Sequence, residues 1–224
     1  MKKKVLITGG SGLLAVNWAL SIRGDYAVTL ILHHKKISLS GVDKDVASLD
    51  SLDECSSVLA KHQPDIVIHT AGLANVEECE SDPDLAQEVN VDLAKNIAIV
   101  CSDQGIKLVH ISTDHLFLGD QELATEESIT NPVNNYGETK LLGEQQVLEN
   151  CKDALIVRTN FFCWGAKYHQ SFSDFILNKL KKNKQSNLFS DVYFTPILVD
   201  ELVKKTHQLI DSNAIGIFNI VGSE

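Results

Sequence analysis

Short apolar runs alternate with longer amphipathic stretches along most of the chain. Lys4 to Thr8 encloses Val5-Leu6-Ile7 and reads as a strand buried on both faces, ending in Gly9-Gly10-Ser11-Gly12. Leu13 to Ile22 reads as a helix, Tyr26 to Leu32 as a second strand, and Lys35 to Ser48 as a polar connection. Asp53 to Lys61 has helical character, and Pro64-Asp65 introduces a third clear strand, Ile66-Val67-Ile68-His69. From Asp84 to Gln104, Leu85, Val89, Leu93, Ile97 and Val100 recur near helical spacing, and Gly105 stands where a C-terminal cap belongs. Lys107 to Ser112, Ala154 to Arg158 and Ile215 to Val221 read as strands. Asn135 to Asn150, Phe172 to Lys182 and Val199 to Ser212 read as helices.

Doubly buried strands separated by helices predict an α/β fold, a Rossmann-type doubly wound parallel sheet with right-handed crossovers. The pattern loosens from about Phe161. This divides the chain into residues 1–160, carrying the regular sheet, and a small interwoven lobe over residues 161–224. A length of 224 residues with 44% hydrophobic and 22% charged residues fits a globular domain and excludes a disordered chain. The net charge of −10 argues against nucleic acid and anionic membranes as partners. No apolar run approaches the roughly 18 residues that cross a bilayer, and the stretch after Lys2-Lys3-Lys4 is too short for an export signal. Five widely spaced cysteines without a CxxC pair suit a reducing, cytoplasmic setting and argue against disulfides and a zinc site.

Three motifs carry chemistry. Thr8-Gly9-Gly10-Ser11-Gly12-Leu13-Leu14-Ala15 follows the first strand and opens the first helix. Glycine there lets backbone N–H groups approach a pyrophosphate, and the helix adds its positive end. A plain strand–helix turn is the alternative. Tyr136-Gly137-Glu138-Thr139-Lys140 places a phenol and an ammonium on one helix face, where the cation is expected to lower the tyrosine pKa. Alone, this spacing is common on solvated helices. Ile111-Ser112-Thr113-Asp114 lies at the C-terminal end of a strand, the edge at which such sheets bind ligands, although Ser and Thr often merely cap loops.

Glycine turn, strand-end Ser-Thr and Tyr-x-x-x-Lys occur once each, in that order. In this the chain resembles the extended short-chain dehydrogenase/reductase superfamily. Asp65 to Gly72, Glu88-Val89-Asn90-Val91, Ile111 to Phe117, Asn131 to Leu141, Val157-Arg158-Thr159-Asn160 and Phe194-Thr195-Pro196-Ile197 are similar to its dTDP-4-dehydrorhamnose reductase branch, over nearly the whole chain. The resemblance implies a reductase of a nucleotide-activated 4-keto-6-deoxy sugar, in dTDP-rhamnose biosynthesis. It makes Tyr136 the proton donor, Thr113 a second hydroxyl on the reacting oxygen, and Lys140 the residue that holds the nicotinamide ribose. Gly9, Gly10, Ser11, Gly12, Leu13 and Leu14 would enclose the pyrophosphate. Ala71, Gly72, Asn90 and Ser112 would line the cofactor, Asp50, near the end of a presumed third strand, would contact the adenine, and Asn160 and Phe161 would meet the substrate. A homodimer is compatible with the branch.

The expected departures concern the first helix and the C-terminus. Leu14, Ala15 and Val16 stand where some members carry a metal-linked glutamate, so no metal is expected. Branch members run some tens of residues further, so a truncated substrate lobe is expected. Asn160-Phe161-Phe162 stands where Trp is frequent. The second strand runs into His33-His34-Lys35-Lys36 without a carboxylate for the ribose 2′-hydroxyl, which favours NADP over NAD; an ordinary basic turn is the alternative. His62, His169 and His207 read as surface residues, His69 and His110 as core residues, and Lys179 to Lys184 as a solvated helix end. An epimerase or dehydratase with the same motifs, or a non-catalytic regulatory subunit, are the competing functions.

Overall fold

The computed structural model describes residues 2–119, 122–188 and 194–223. Its main sheet is built from β1 (Lys4–Thr8), β2 (Ala27–Leu32), β3 (Asp43–Val46), β4 (Ile66–His69), β5 (Lys107–Thr113), β6 (Leu155–Thr159) and β9 (Gly216–Asn219). The spatial order is β3-β2-β1-β4-β5-β6-β9, and every pairing is parallel. A second sheet pairs two short strands, β7 (Phe161–Phe162) and β8 (Ile197–Leu198).

Successive side chains of a strand point to opposite faces, so doubly buried strands feed two cores. Val5 and Ile7 of β1 join Leu30, Ile68, Val109 and Val157 on one face. There they meet α1 (Leu13–Ile22), through Ala15 and Trp18, and α8 (Val199–Asp211), through Leu202 and Val203. Leu6, Ile31, Val67, Leu108 and Ile156 enter the other core. That face is covered by α2 (Leu52–His62), α5 (Leu93–Gln104) and α6 (Asn135–Asn150). This is the doubly wound α/β sheet that the hydrophobic pattern predicts.

Polar groups fasten the layers. Trp18, fully buried, donates from Nε1 to Nε2 of His207 at 3.2 Å, and Nδ1 of His207 lies 3.1 Å from the Tyr26 hydroxyl. His207 is therefore a buried tie between α1, β2 and α8, not the surface residue its polar neighbours in sequence suggest. His69 and His110 are core residues as expected, stacked with ring centroids 5.3 Å apart on adjacent strands. His169 is exposed, whereas His62 is half-buried and binds Asp45 at 2.8 Å.

Several elements differ from the sequence pattern, the short strands β7 and β8 among them. The polar connection after β2 contains β3, whose Asp-Lys-Asp-Val has no apolar alternation because it pairs on one side alone, at the sheet edge. The long helix expected from Asp84 is divided into α4 (Pro83–Gln87), a π turn (Glu88–Asp92) and α5. Ahead of it stands a short helix, α3 (Val76–Ser81), capped by Asn75, whose Oδ1 accepts from the Glu78 amide at 3.1 Å. The remaining helix, α7 (Phe172–Lys181), is followed by the exposed lysines foreseen for its end. Among the described residues no helix is long and apolar enough to cross a membrane.

Candidate active site

The sheet changes direction of growth between β1 and β4, and the chain leaves them toward α1 on one face and α5 on the other, so a crevice opens beyond their paired C-terminal ends, the usual ligand position in such sheets. The predicted residues follow strand ends there: Gly9 to Leu14 after β1, His33 to Lys35 after β2, Ala71 and Gly72 after β4, Ser112 and Thr113 at the end of β5, Asn160 and Phe161 after β6.

The turn after β1 admits only glycine at its tightest points. Gly9 has φ 64°, and a Cβ there would lie 2.8 Å from Cα of Ala71. A Cβ on Gly10 would lie 2.8 Å from the Ile31 carbonyl oxygen, which already accepts from the Gly10 amide at 2.9 Å. Gly12 is the N-cap of α1, with no side chain capping the helix and no acidic residue in its first turn. The amides and positive pole of this end are thus free to meet an anion. Thr8 braces the crevice: its Oγ1 lies 2.8 Å from Nδ1 of His69 and accepts from the Ala71 amide at 3.2 Å. A dinucleotide pyrophosphate fits this cradle.

Across the crevice stands α6. Its N-cap, Asn134, accepts from the Gly137 amide at 2.8 Å, so Tyr136 lies in the first helical turn. Lys140, one turn on, is buried and donates to the Ile111 carbonyl at 2.7 Å. Burial holds its ammonium down to about 8, with Glu144 partly offsetting this. The Tyr136 hydroxyl is raised above its ordinary value, chiefly by burial; its hydrogen-bond neighbour Thr113 pulls the other way and Asp114 adds to the rise. The expected lowering by Lys140 is therefore corrected: the ammonium is committed to Ile111, and desolvation dominates at the phenol. Thr113 is buried and accepts from the His115 amide at 3.2 Å. The Ser112 Oγ is buried without a hydrogen-bond partner among the described residues.

Asn90 emerges from the π turn and is almost fully buried. Its Oδ1 accepts from the Leu73 amide at 2.8 Å, and its Nδ2 donates to the Leu73 carbonyl at 3.1 Å and to Thr139 Oγ1 at 3.0 Å. It thus fastens the loop after β4 to α6. A Cβ on Gly143 would lie 2.4 Å from the Asn90 carbonyl oxygen, so α6 presses directly on this turn.

The outer residues are placed less uniformly. His33 and His34 are exposed, their rings tilted by 36° with centroids 3.5 Å apart, and Lys35 holds its ammonium 4.4 Å from the centre of the Tyr168 ring. Asp50 lies four residues beyond β3, exposed and bonded to Ser48 Oγ at 2.7 Å. Asn160 donates to Asp114 at 3.1 Å, joining the ends of β5 and β6, and Phe161 packs on the core. Two residues that sequence reasoning missed border Tyr136. The His115 ring meets it edge-on at 5.5 Å, and Glu80 of α3 bonds to Asn135, its neighbour. His115 was within reach of sequence, two residues past Thr113; Glu80 was not. Among the described residues no cluster of His, Cys, Asp or Glu could hold a metal ion.

The family model for the RmlD substrate binding domain matches residues 3–224. The chain belongs to this family. As an RmlD-type chain it is 28% identical over 221 residues to a dTDP-4-keto-6-deoxy-D-glucose reductase of Streptomyces niveus, covering 98% of this chain and 73% of that one. It is also 30% identical over 231 residues to the methionine adenosyltransferase 2 subunit beta of Bos taurus, covering 99% of this chain and 68% of the relative. Among solved structures, the dTDP-4-dehydrorhamnose reductase of Bacillus anthracis in complex with NADP superposes with a TM-score of 0.86 at 28% identity, over 100% of this chain and 76% of that one.

Proposed function

We propose that this RmlD-family chain is an NADP-preferring reductase of a nucleotide-activated 4-keto-6-deoxy sugar. The observation that carries the proposal is the placement of Tyr136, Thr113 and Lys140 together at the end of β5, across from the glycine cradle after β1. The reductase relative and the NADP-bound neighbour support the substrate class and the cofactor.

A nicotinamide cofactor, when bound, would supply the hydride. The protein's part is to hold the ketone and manage its proton. A phenol raised by burial keeps its proton at neutral pH, so Tyr136 is in the donor's state as negative charge develops on the ketone oxygen. Thr113 Oγ1 donates a hydrogen bond to the same oxygen. Lys140, anchored on Ile111, would hold the ribose hydroxyls with its remaining protons. Asn160, steadied by Asp114, and Phe161 border the sugar.

The test is NADPH consumption, followed by absorbance, with a dTDP-4-keto-6-deoxyhexose. Tyr136→Phe is expected to lower the rate by about a hundredfold or more while NADPH still binds. An epimerase would show no net consumption. The relationship to the methionine adenosyltransferase subunit favours a second reading, a regulatory subunit, whose function Tyr136→Phe would leave intact. For the cofactor, Lys35→Ala is expected to weaken NADPH binding about tenfold and leave NADH binding unchanged, because only the 2′-phosphate needs the ammonium. Equal losses for both cofactors would reject that role.

A further inference from the structure

Glu80 on α3 plays no part in the chemistry above, yet both its carboxylate oxygens are spent on one residue. Oε1 accepts from the backbone amide of Asn135 at 2.7 Å, and Oε2 from Nδ2 of Asn135 at 3.0 Å. Asn135 is the first residue of α6 and Tyr136 the second. The first amides of a helix have no partner within it. Here Glu80 takes that of Asn135 and Asn134 that of Gly137, with Tyr136 between them. A carboxylate at this end is also favoured by the helix dipole.

The helix that carries Glu80 is tied in turn to the loop after β4. Cys79 Sγ, buried, donates to the Leu73 carbonyl at 3.4 Å. Leu73 is the residue that Asn90 fastens to Thr139. The loop bearing Ala71 and Gly72 is thus attached to α6 twice, at Asn135 through Glu80 and at Thr139 through Asn90. The two attachments bracket Tyr136.

We propose that Glu80 is a positioning residue for Tyr136, fixing the first turn of α6 against the cofactor loop. The proposal rests on the reductase reading. Without Glu80 the first turn frays, while the attachment at Thr139 still holds Lys140, one residue further. Proton delivery then suffers and cofactor binding does not.

Glu80→Ala and Glu80→Gln, in the chain as it stands, are tested for NADPH oxidation with the 4-keto sugar, for NADPH affinity by its fluorescence, and for melting temperature. Glu80→Ala is expected to lower kcat about tenfold and change NADPH affinity by less than about twofold. Glu80→Gln, which keeps an acceptor for the Asn135 amide, recovers part of the rate. In a Tyr136→Phe background, Glu80→Ala leaves the residual rate unchanged. An unaltered kcat, a parallel loss of kcat and NADPH affinity, or a full effect in the Tyr136→Phe background would each overturn the role. A wild-type chain that binds NADPH but oxidises none removes the reductase reading, and the role of Glu80 with it; turnover indifferent to Glu80 removes only the latter.

Discussion

Lys140 shows how one side chain serves two ends. Its long stem crosses the interior to reach Ile111, and that burial brings its ammonium to about 8. The folded pKa lies below the ordinary lysine value, so the folded chain releases this proton first as pH rises. NADPH affinity is expected to hold steady below pH of about 8 and to weaken above it, as the ammonium proposed to hold the ribose is lost. Titration of affinity against pH checks this: Lys140→Met should bind weakly with no step near that pH, and an unchanged step would assign it to another group. At this scale the sequence was readable where chemistry and spacing coincide. Tyr136 and Lys140 share a face because four residues make one helical turn. Their protonation states were not readable, since burial by the surrounding protein decides them. Nor was Glu80, whose partner is 55 residues away.

Among elements, α8 is held by a neutral imidazole. Trp18 can only donate, so Nε2 of His207 is the acceptor and Nδ1 carries the proton toward the Tyr26 hydroxyl. Burial holds the His207 pKa below its ordinary value, with Asp211 opposing. A lowered histidine pKa means stability that is complete above the unfolded value of roughly 6.5 and lost as pH falls below it. His69, held to about 3, and His110 act with the same sign. The melting temperature is therefore expected to fall as pH drops below about 6, and His207→Gln to make that fall shallower. A slope identical in the variant would exclude His207 as a contributor. Among the most legible elements were α1 and α6, which span the residues read from the sequence, and the strongly amphipathic α8, which stops one residue short of its reading. β3 escaped because an edge strand needs no apolar alternation. The π turn escaped because one inserted residue barely disturbs helical spacing, although it is what turns Asn90 toward Leu73.

For the molecule as a whole, two cores flank one sheet, and a buried ion pair joins sheet to site. Arg158 of β6 meets Glu144 of α6 through two guanidinium nitrogens, at 2.9 and 2.7 Å, with both residues almost inaccessible. Removing one partner strands a buried charge, so Glu144→Ala is expected to cost about 3–5 kcal/mol in urea unfolding. A loss below about 1 kcal/mol would mean that water reaches the guanidinium. Arg158→Met with Glu144→Leu should recover much of the stability, because an apolar pair of similar volume carries no desolvation penalty. The strand order has a consequence for how such a chain can be made. β2 and β3 add outward from β1 on one side, then β4, β5, β6 and β9 add outward on the other. Each strand leaving the ribosome therefore meets an open edge, and none must be inserted between two already paired. The sheet can grow during translation without undoing an earlier pairing.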